Sequence, residues 1–351
     1  MKTDLFDYTL PPHLIATYPP LNRDGGRLLV TLPQQQKIQH HKITDLPSLL
    51  PTNCLVVANN SKVIPARLQA RRPTGGAVEV LLVRLESEDD TSCTWNTLCK
   101  ANKPLRIGDT LLFDNTSTAT IIQSGEMGHR TLRLNVRSEA FRNYVDQQGA
   151  IPLPPYLKRD AEESDRERYQ TVFAEYEGSV AAPTAGLHLT EALISEIRSN
   201  GCAVEYVTLH VGPGTFRPIT AERTDEHKMD VEHYHISNAV ADKINDAKND
   251  GRPVIAIGTT TVRTLEGCAA RHNGRVVAGD GATDIFISPP YPFNVVSGLL
   301  TNFHLPKSTL LCLVSAMGGR EFILKAYDEA VQNEYRFYSY GDAMLVLPED
   351  A

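Results

Sequence analysis

The sequence predicts an α/β protein in which helices cover a mixed sheet and a small all-β barrel domain is inserted. From residue 178 onward, strand-like apolar runs alternate with helical ones, a pattern typical of helices that cover a largely parallel or mixed sheet. Between residues 62 and 144, short alternating runs follow one another without a helical run. Such a series indicates a barrel, because closure removes the edges of a short sheet. We expect an α/β catalytic domain at 1–60 and 151–351 and the barrel at 61–150.

The elements follow from apolar periodicity and turn residues. Residues 190–201 form the clearest helix, with Thr190 as N-cap and Gly201 at its end. The proline-rich stretch 152–156 is expected to be the linker that returns from the barrel. Strands are predicted at 27–32, 55–58, 77–85, 131–136, 203–209, 253–257, 284–288, 295–303 and 343–347. Further helices are predicted at 237–249, 260–270, from about 308, and at 320–332.

Length and composition are those of an ordinary soluble globular protein. A chain of 351 residues has room for about two domains. Its first residues include an acid and prolines where a secretory signal needs an apolar run, and no apolar stretch approaches the ~18 residues of a membrane span. We expect a cytoplasmic monomer without membrane contact. The six cysteines lack a CxxC pair, which predicts reduced, mostly buried thiols and excludes a radical iron–sulfur cluster and a zinc quartet.

The charge distribution is compatible with a local surface that binds nucleic acid. The formal net charge of −7 argues against nonspecific coating of nucleic acid. Two basic clusters nevertheless contain no acid, and each is either a solvated face or a phosphate-binding surface. The first cluster comprises Lys62, Arg67, Arg71 and Arg72, and the second comprises Lys100, Lys103 and Arg106.

Residues 178–190, GSVAAPTAGLHLT, are nearly all small or hydroxylated. Such a run contributes little bulk to a core, so we expect it to shape the backbone around a ligand. It delivers His188 to a helix N-terminus, where free N–H groups and partial positive charge favour an anionic or electron-rich ligand. A tight turn in which His188 only hydrogen-bonds backbone is the alternative.

Two further loops follow strands of the α/β part, where ligands bind in open sheets. Residues 258–263, GTTTVR, offer the hydroxyls of Thr259, Thr260 and Thr261 and the guanidinium of Arg263 to a carboxylate or phosphate. An N-cap followed by an ordinary surface arginine is the alternative. Residues 208–218, TLHVGPGTFRP, form a tight loop beside His210. A purely structural turn would explain the glycines of this loop equally well.

The loop at 301–309, TNFHLPKST, starts a helix with Lys307 and Ser308. Pro306 stands where a P-loop requires glycine, so nucleotide triphosphate hydrolysis is excluded. An anion site at the helix N-terminus, with Asn302 and His304 as hydrogen-bonding groups, is what the loop predicts.

Two other types of site are not expected. His233 and His235 would share one face of a strand, but their surroundings lack clean ligand spacing, and we expect no metal. The chain has no GxGxxG motif, so a dinucleotide or standard methyltransferase fingerprint is absent.

Taken together, these segments resemble the S-adenosylmethionine:tRNA ribosyltransferase-isomerases of queuosine biosynthesis. The likeness runs in order along the whole length. The matching segments are FDYTLPPHLIATYP, RLLV, VIPARL, VEVLL, PLPPY, DRERYQTVFA, GSVAAPTAGLHLT, VTLHVGPGTFRP, VIAIGTTTVRTLE, GLLTNFHLPKSTL and YRFYSYGDAML.

The resemblance implies an unusual use of S-adenosylmethionine. The family transfers and isomerises its ribosyl group onto 7-aminomethyl-7-deazaguanine at the wobble position of tRNA, and releases adenine and methionine. S-adenosylmethionine is then a co-substrate, with no tightly bound cofactor and no metal, and the RNA partner is a tRNA with a GUN-type anticodon. The family architecture, an α/β domain with an inserted barrel, agrees with the reading from the residues.

The chemistry implied needs a general base for a proton of the ribose carbon next to the sulfonium and a general acid for the leaving adenine. Histidine suits both tasks near neutral pH. We expect His188 and His210 in these roles first, and then His304. We expect the cofactor-binding groups to be Thr259, Thr260, Thr261, Arg263, Asn302, Lys307 and Ser308, while the two basic clusters position the anticodon arm through its phosphates.

The sequence departs from the usual family pattern at Asn60, Asp230, His233 and Pro290. These departures leave an alternative open, a catalytically altered paralogue that binds tRNA without completing ribosyl transfer. Asp230 is the discriminating position, because a site that needs an imidazole there would have lost its proton-transfer group.

Overall fold

The protein consists of a large mixed sheet with helices on both faces and a separate closed barrel, which confirms the predicted fold class. The structure is a computed structural model that describes residues 1–114, 117–216 and 219–347, without the side chains of 215 and 216. Its strands are β1 Arg27–Leu32, β2 Lys37–Lys42, β3 Leu55–Asn59, β4 Ser61–Val63, β5 Arg67–Arg71, β6 Ala77–Glu88, β7 Cys93–Ala101, β8 Thr110–Leu112, β9 Thr118–Ser124, β10 His129–Leu134, β11 Tyr176–Ser179, β12 Ala203–Leu209, β13 Glu232–Ile236, β14 Val254–Ile257, β15 Gly279–Thr283, β16 Gly298–Asn302 and β17 Ala343–Val346. Its helices are α1 Leu46–Leu49, α2 Ser138–Gln148, α3 Asp165–Arg168, α4 Glu191–Ser199, α5 Asn238–Asn249, α6 Thr259–Arg271, α7 Thr309–Gly318 and α8 Arg320–Gln332.

The large sheet has nine strands in the order β15-β13-β12-β3-β14-β16-β17-β1-β2. Its centre is parallel, with β12, β3, β14 and β16 side by side. Parallel neighbours end at the same edge, so the loops that follow β3, β12, β14 and β16 meet there. This edge carries three of the sequence segments that we expected to bind ligand.

The sheet is buried on both faces, as its continuous apolar strands require. In β3, Leu55 and Val57 face a core shared with α5, α6, α7 and α8, while Val56 and Ala58 face a second core. Helices α1 and α4 cover that second face. Because successive side chains of a strand point to opposite faces, β3 contributes to the cores on both sides of the sheet.

The barrel closes through six strands in the order β10-β7-β6-β5-β8-β9. Phe141 and Val145 of α2 are buried in its core together with Trp95. Helix α2 thus contributes to the interior of the barrel, and the periodicity of residues 138–148 was missed in the sequence. The short strand β4 pairs with β11 outside the barrel, and the domain limits at residues 60 and 150 stay a prediction.

Helix α4 begins and ends as predicted. The hydroxyl of Thr190 accepts a hydrogen bond from the Leu193 N–H at 3.2 Å, and Gly201 has a φ of +86°. An N-cap of this kind contributes about 1 kcal/mol to helix stability, and glycine is the residue that takes a left-handed φ without strain.

One predicted strand is wrong. Residues 284–288 are not in a strand, and β15 precedes them. The edge strand β15 pairs only with β13 within the described part of the chain. The GDGAT sequence of β15 lacks the apolar alternation by which a strand is recognised. Backbone hydrogen bonds to β13 keep it in the sheet.

Candidate active site

Four chain segments enclose a small pocket at the carboxyl edge of the sheet, which we call the loop pocket. They are the 178–190 run, the start of α6, the loop between β16 and α7, and a tyrosine-rich turn before β17. The lining residues are Tyr156, Ala181, Ala182, Pro183, Thr184, Ala185, Val211, Gly258, Thr259, Thr260, Thr301, Asn302, Phe303, His304, Leu305, Ser308, Leu310, Tyr338 and Ser339. Small residues dominate one wall, as expected for a backbone that closes around a ligand.

Two helix N-termini point into the loop pocket. Gly258 turns from β14 into α6 with a φ of +88°, a backbone conformation that glycine adopts without strain. Ser308 caps α7 and accepts a hydrogen bond from the Leu311 N–H at 3.2 Å. Free N–H groups and aligned peptide dipoles make this pocket favourable for an anionic group.

A buried asparagine that the sequence analysis did not select holds these loops together. The Oδ1 atom of Asn59, at the end of β3, accepts from the Leu209 N–H at 3.0 Å. Its Nδ2 atom donates to the Leu209 carbonyl at 2.9 Å and to the Thr260 hydroxyl at 3.4 Å. One amide therefore ties the ends of β3 and β12 to the start of α6.

The imidazole of His304 lines the loop pocket and is almost fully buried. Its Nε2 atom lies 2.9 Å from the Thr301 hydroxyl. Its backbone is fixed on both sides, since its N–H donates to the Tyr327 hydroxyl at 3.1 Å and its carbonyl accepts from Tyr8. Burial lowers the pKa of His304 to about 3, so the ring is neutral near pH 7.

His188 lies behind the loop pocket and reaches it through Asn302. The Asn302 amide donates to Nε2 of His188 at 3.0 Å, and its Oδ1 accepts from the Thr184 hydroxyl at 2.9 Å. Nε2 is therefore an acceptor, and the proton of the neutral ring is on Nδ1. Burial lowers the pKa of His188 to about 4, partly offset by Asp342.

A much larger space, which we call the cleft, lies between the barrel and the α/β part. It has a volume of about 620 Å³, against about 70 Å³ for the loop pocket, and Val211 lines both. The remaining cleft residues are Ile64, Val83, Arg84, Leu85, Trp95, Asn96, His129, Arg142, Val145, Asp146, Glu177, Gly178, His210, Gly212, Pro213, Asp230, Val231, Glu232 and His233.

His210 faces the cleft beside Val211. Its ring packs on Gly178, where an added Cβ would lie 3.1 Å from both Nδ1 and Cε1. Among the described residues, nothing lies within hydrogen-bond distance of the buried Nδ1 atom. Burial, with a smaller contribution from His233, lowers the pKa of His210. A neutral imidazole has one unprotonated ring nitrogen, so a ring that faces the cleft is suited to accept a proton there.

Arg263 is buried away from both spaces and pairs with Glu232, a residue that the sequence analysis did not select. Both side chains are 3% exposed, and Nη1 of Arg263 donates to Oε2 of Glu232. Glu232 also accepts from the Gly212 N–H at 3.2 Å. The pair anchors the start of the GPG turn that follows His210, and Nε and Nη2 of Arg263 are buried without a hydrogen-bond partner in the described chain.

The other predicted cofactor-binding residues divide into two groups. Thr259, Thr260, Asn302 and Ser308 line the loop pocket. The hydroxyl of Thr261 instead donates to the carbonyl of Ile257, the last residue of β14, at 2.8 Å.

Lys307 is held by the N-terminal segment. Its ammonium lies 2.8 Å from Asp4 and 3.0 Å from Asp7. These hydrogen bonds raise the pKa of Lys307.

The structure separates the predicted basic residues into two places. Arg71, Lys100, Lys103 and Arg106 are exposed and do not line the cleft. Arg72 does not line it either, and its guanidinium donates to the carbonyls of residues 103 and 104 and pairs with Asp109, which gives it a structural role.

Lys62 and Arg67 lie where the barrel meets the α/β part. The Lys62 ammonium pairs with Glu177 at 2.9 Å, and Arg67 Nη2 donates to the Leu153 carbonyl at 3.4 Å.

The four departures from the family pattern have distinct surroundings. Asn60 accepts from the Thr208 hydroxyl at 2.7 Å and donates to Glu175 at 3.2 Å, so its amide is used. Asp230 and His233 line the cleft. Pro290 lines neither the cleft nor the loop pocket. Arg217, a residue of the 208–218 loop and not one of these departures, lies outside the described residues.

A sequence model of the family described as "Queuosine biosynthesis protein" matches residues 3–346. The chain belongs to the queuosine biosynthesis family. Curated members named S-adenosylmethionine:tRNA ribosyltransferase-isomerase include one from Geobacter sulfurreducens, 48% identical over 97% of this chain and 98% of that protein. Another, from Treponema denticola, is 45% identical over 99% of this chain and 100% of that protein.

A solved structure of a family member agrees with the fold. The crystal structure of S-adenosylmethionine tRNA ribosyltransferase from Thermotoga maritima is 34% identical and has a TM-score of 0.54. The match covers 98% of this chain and all of that one. The resemblance predicted from the sequence is therefore confirmed at the level of family.

The described part of the chain contains neither a cluster of metal ligands nor a membrane-spanning helix. No group of three or more His, Cys, Asp or Glu side chains there could hold a metal ion, although His233 and His235 lie on one strand. None of the described helices combines the length and apolar character needed to cross a membrane.

Proposed function

We propose that the protein transfers and isomerises the ribosyl moiety of S-adenosylmethionine onto 7-aminomethyl-7-deazaguanine at the tRNA wobble position. The products are epoxyqueuosine-tRNA, adenine and methionine. The observation that carries this proposal is the near-complete length match to relatives that share this enzyme name, at 45–48% identity. The proposal also includes a tRNA with a GUN-type anticodon, which the family resemblance implies, and a monomeric enzyme.

The loop pocket holds one end of S-adenosylmethionine in this proposal. Ligand sites for whole cofactors usually measure roughly 300–1,000 Å³, and the loop pocket alone is far smaller. The methionine carboxylate suits the helix N-termini at Thr259 and Ser308, where Thr260 and Asn302 add hydrogen-bond donors. The rest of the molecule then extends past Val211 to the cleft.

This placement brings the ribose to His210. The sulfonium acidifies the protons on the adjoining ribose carbon, and a neutral imidazole with an unused nitrogen can remove one. The amine of the tRNA base, held in the cleft, forms the new bond to the ribosyl group, which gives up its bonds to adenine and to the methionine sulfur. No covalent enzyme intermediate is required.

His188 and His304 have supporting roles in the same proposal. Both rings are buried and neutral, and each Nε2 already has a hydrogen-bond partner. His304 lines the loop pocket, where its neutral ring can hydrogen-bond the methionine end of S-adenosylmethionine. His188 orients the Asn302 amide, so it acts as a positioning residue.

The test is an incubation of the protein with S-adenosylmethionine and tRNA that bears 7-aminomethyl-7-deazaguanine. We expect release of adenine and methionine and a ribosyl mass gain on the tRNA by mass spectrometry. Tight tRNA binding without these products would instead indicate the altered paralogue. Neither binding nor products would contradict both readings.

A further inference from the structure

The two walls of the cleft differ in their charged side chains. The barrel wall presents Arg84 from β6 and Arg142 from α2, with Asp146 as its one acid among the described lining residues. The opposite wall, from the α/β part, presents no lysine or arginine among those residues. Its carboxylates are Glu177, Asp230 and Glu232, of which Glu177 pairs with Lys62 and Glu232 pairs with the buried Arg263.

Arg84 and Arg142 are exposed and weakly held. Their side chains are 54% and 56% exposed, and their ion pairs to Glu86 and Glu88 are long, at 3.8 and 3.6 Å. Exposed pairs of this kind contribute little to stability. Arg84 also lies 3.2 Å from Nε2 of His233 across the cleft. Both guanidinium groups can therefore turn to a new anion at little cost.

We propose that Arg84 and Arg142 bind the phosphates that flank the wobble nucleotide. The RNA backbone then follows the barrel wall and the base points to the α/β wall. This orientation rests on the proposed function and adds to it the residues that hold the RNA.

The chemistry of the substrate matches the difference between the two walls. A phosphodiester is the anionic part of a nucleotide and forms paired hydrogen bonds with arginine. A guanine-like edge carries N–H donors, and an aminomethyl group is cationic when protonated. Such groups are repelled by the arginines of the barrel wall and meet no lysine or arginine among the described lining residues of the α/β wall, so the position of the two arginines favours one orientation.

The proposal differs from the one based on sequence clusters. Asn96 stands opposite Arg84 in the β6–β7 ladder, and Lys100 stands opposite Glu79. Four residues along a strand span about 13 Å. Lys100 is therefore well separated from Asn96 along β7, and none of Arg71, Lys100, Lys103 and Arg106 lines the cleft.

The experiment measures binding of tRNA bearing the deazaguanine precursor over a range of salt concentrations. Arg84→Gln and Arg142→Gln should each weaken binding about tenfold. Each should also lower the slope of log affinity against log salt by about 0.7–0.9, since one phosphate contact is lost. Arg223→Gln is the matched control, because Arg223 is 53% exposed, pairs with Asp225 and does not line the cleft, and we expect it to keep the wild-type slope.

Wild-type affinity and salt slope in both cleft variants would overturn the proposal. A loss of affinity with an unchanged salt slope would overturn it too, because that loss does not come from a charge contact. Thermal unfolding checks that the exposed substitutions leave the fold intact. Adenine release by the wild-type enzyme is measured separately, so failure of the reaction and failure of these contacts are distinguishable.

Discussion

The Asn302 amide donates to Nε2 of His188 at 3.0 Å, in a region where both side chains are almost fully buried. This bond makes the histidine an acceptor and leaves the other face of Asn302 in the loop pocket. The two residues are 114 positions apart in sequence. Their contact links the 178–190 run to the β16–α7 loop.

Replacing Asn302 with Asp should disturb both sides of this bond. A carboxylate cannot donate to Nε2, so we expect His188 to take up a proton and its pKa to rise. The added negative charge should also raise KM for S-adenosylmethionine if its carboxylate binds nearby. NMR of the imidazole nitrogens and steady-state kinetics measure these effects. Asn302→Ala is the control, because it removes the donor without adding charge.

Stability should fall at acidic pH because His188 and His304 are buried in neutral form. Their pKa values are lowered to about 4 and about 3, while an unfolded histidine has a pKa of about 6.5. The unfolded chain therefore binds more protons, and stability present above pH 6.5 is lost as the pH falls towards 3. Each unit of lowered pKa corresponds to about 1.4 kcal/mol.

Urea unfolding at pH 7.5, 6, 5 and 4 measures this dependence. His304→Gln should flatten the curve in that range. An unchanged pH dependence in this variant would mean that other groups, such as carboxylates, account for the loss.

Replacing His210 with Gln should reduce kcat for adenine release by about 10²–10⁴-fold if it is the general base. The affinity for tRNA should change little. His235→Gln is the matched control, since His235 is exposed, hydrogen-bonds to Asp280 and does not line the cleft. Because the pKa of His210 is lowered, wild-type activity should be governed by a basic group that titrates below pH 6.5. A kcat within twofold of wild type in the Gln variant would exclude the role.

Replacing Gly178 with Ala should displace the His210 ring although His210 itself is unchanged. The new methyl group would lie 3.1 Å from the imidazole, and the φ of +133° is unfavourable for alanine. We expect lower kcat and a stability loss of about 1 kcal/mol or more. Gly76→Ala is the control, because its added Cβ meets only a flexible arginine side chain at 3.5 Å. Full activity in Gly178→Ala would show that the ring position is not critical.

Breaking the Arg263–Glu232 pair should be costly. Removal of one partner leaves the other charge buried, which costs about 3–5 kcal/mol, so Glu232→Gln should unfold at clearly lower denaturant concentration. Lys62→Ala breaks an exposed pair with Glu177 and should cost less than about 1 kcal/mol. Similar losses in the two variants would contradict the structural role assigned to Arg263.

Apolar periodicity predicted most of the large sheet and the inserted barrel, because those elements are recognised by what they bury. The strand Ala203–Leu209 and the helix Arg320–Gln332 have the predicted bounds. Strand β15 escaped detection because its GDGAT sequence has no apolar alternation. Helix α2 escaped because its buried side chains Phe141 and Val145 are few among polar neighbours.

The site was predicted less completely, since chain position does not reveal which polar group is turned inward. The loop segments with His304, Thr259, Thr260, Asn302 and Ser308 were selected, and all five residues line one pocket. Arg263 looked like a ligand-binding arginine, but its partner Glu232 is 31 residues away. Only the folded strand order brings that carboxylate beside it.

The chain has a single tryptophan, Trp95, and it sits in the barrel core while also lining the cleft. All indole fluorescence therefore originates from one domain. Its emission follows the barrel alone during unfolding, and a shift on mixing with tRNA would give an optical signal for cleft occupancy without any attached dye.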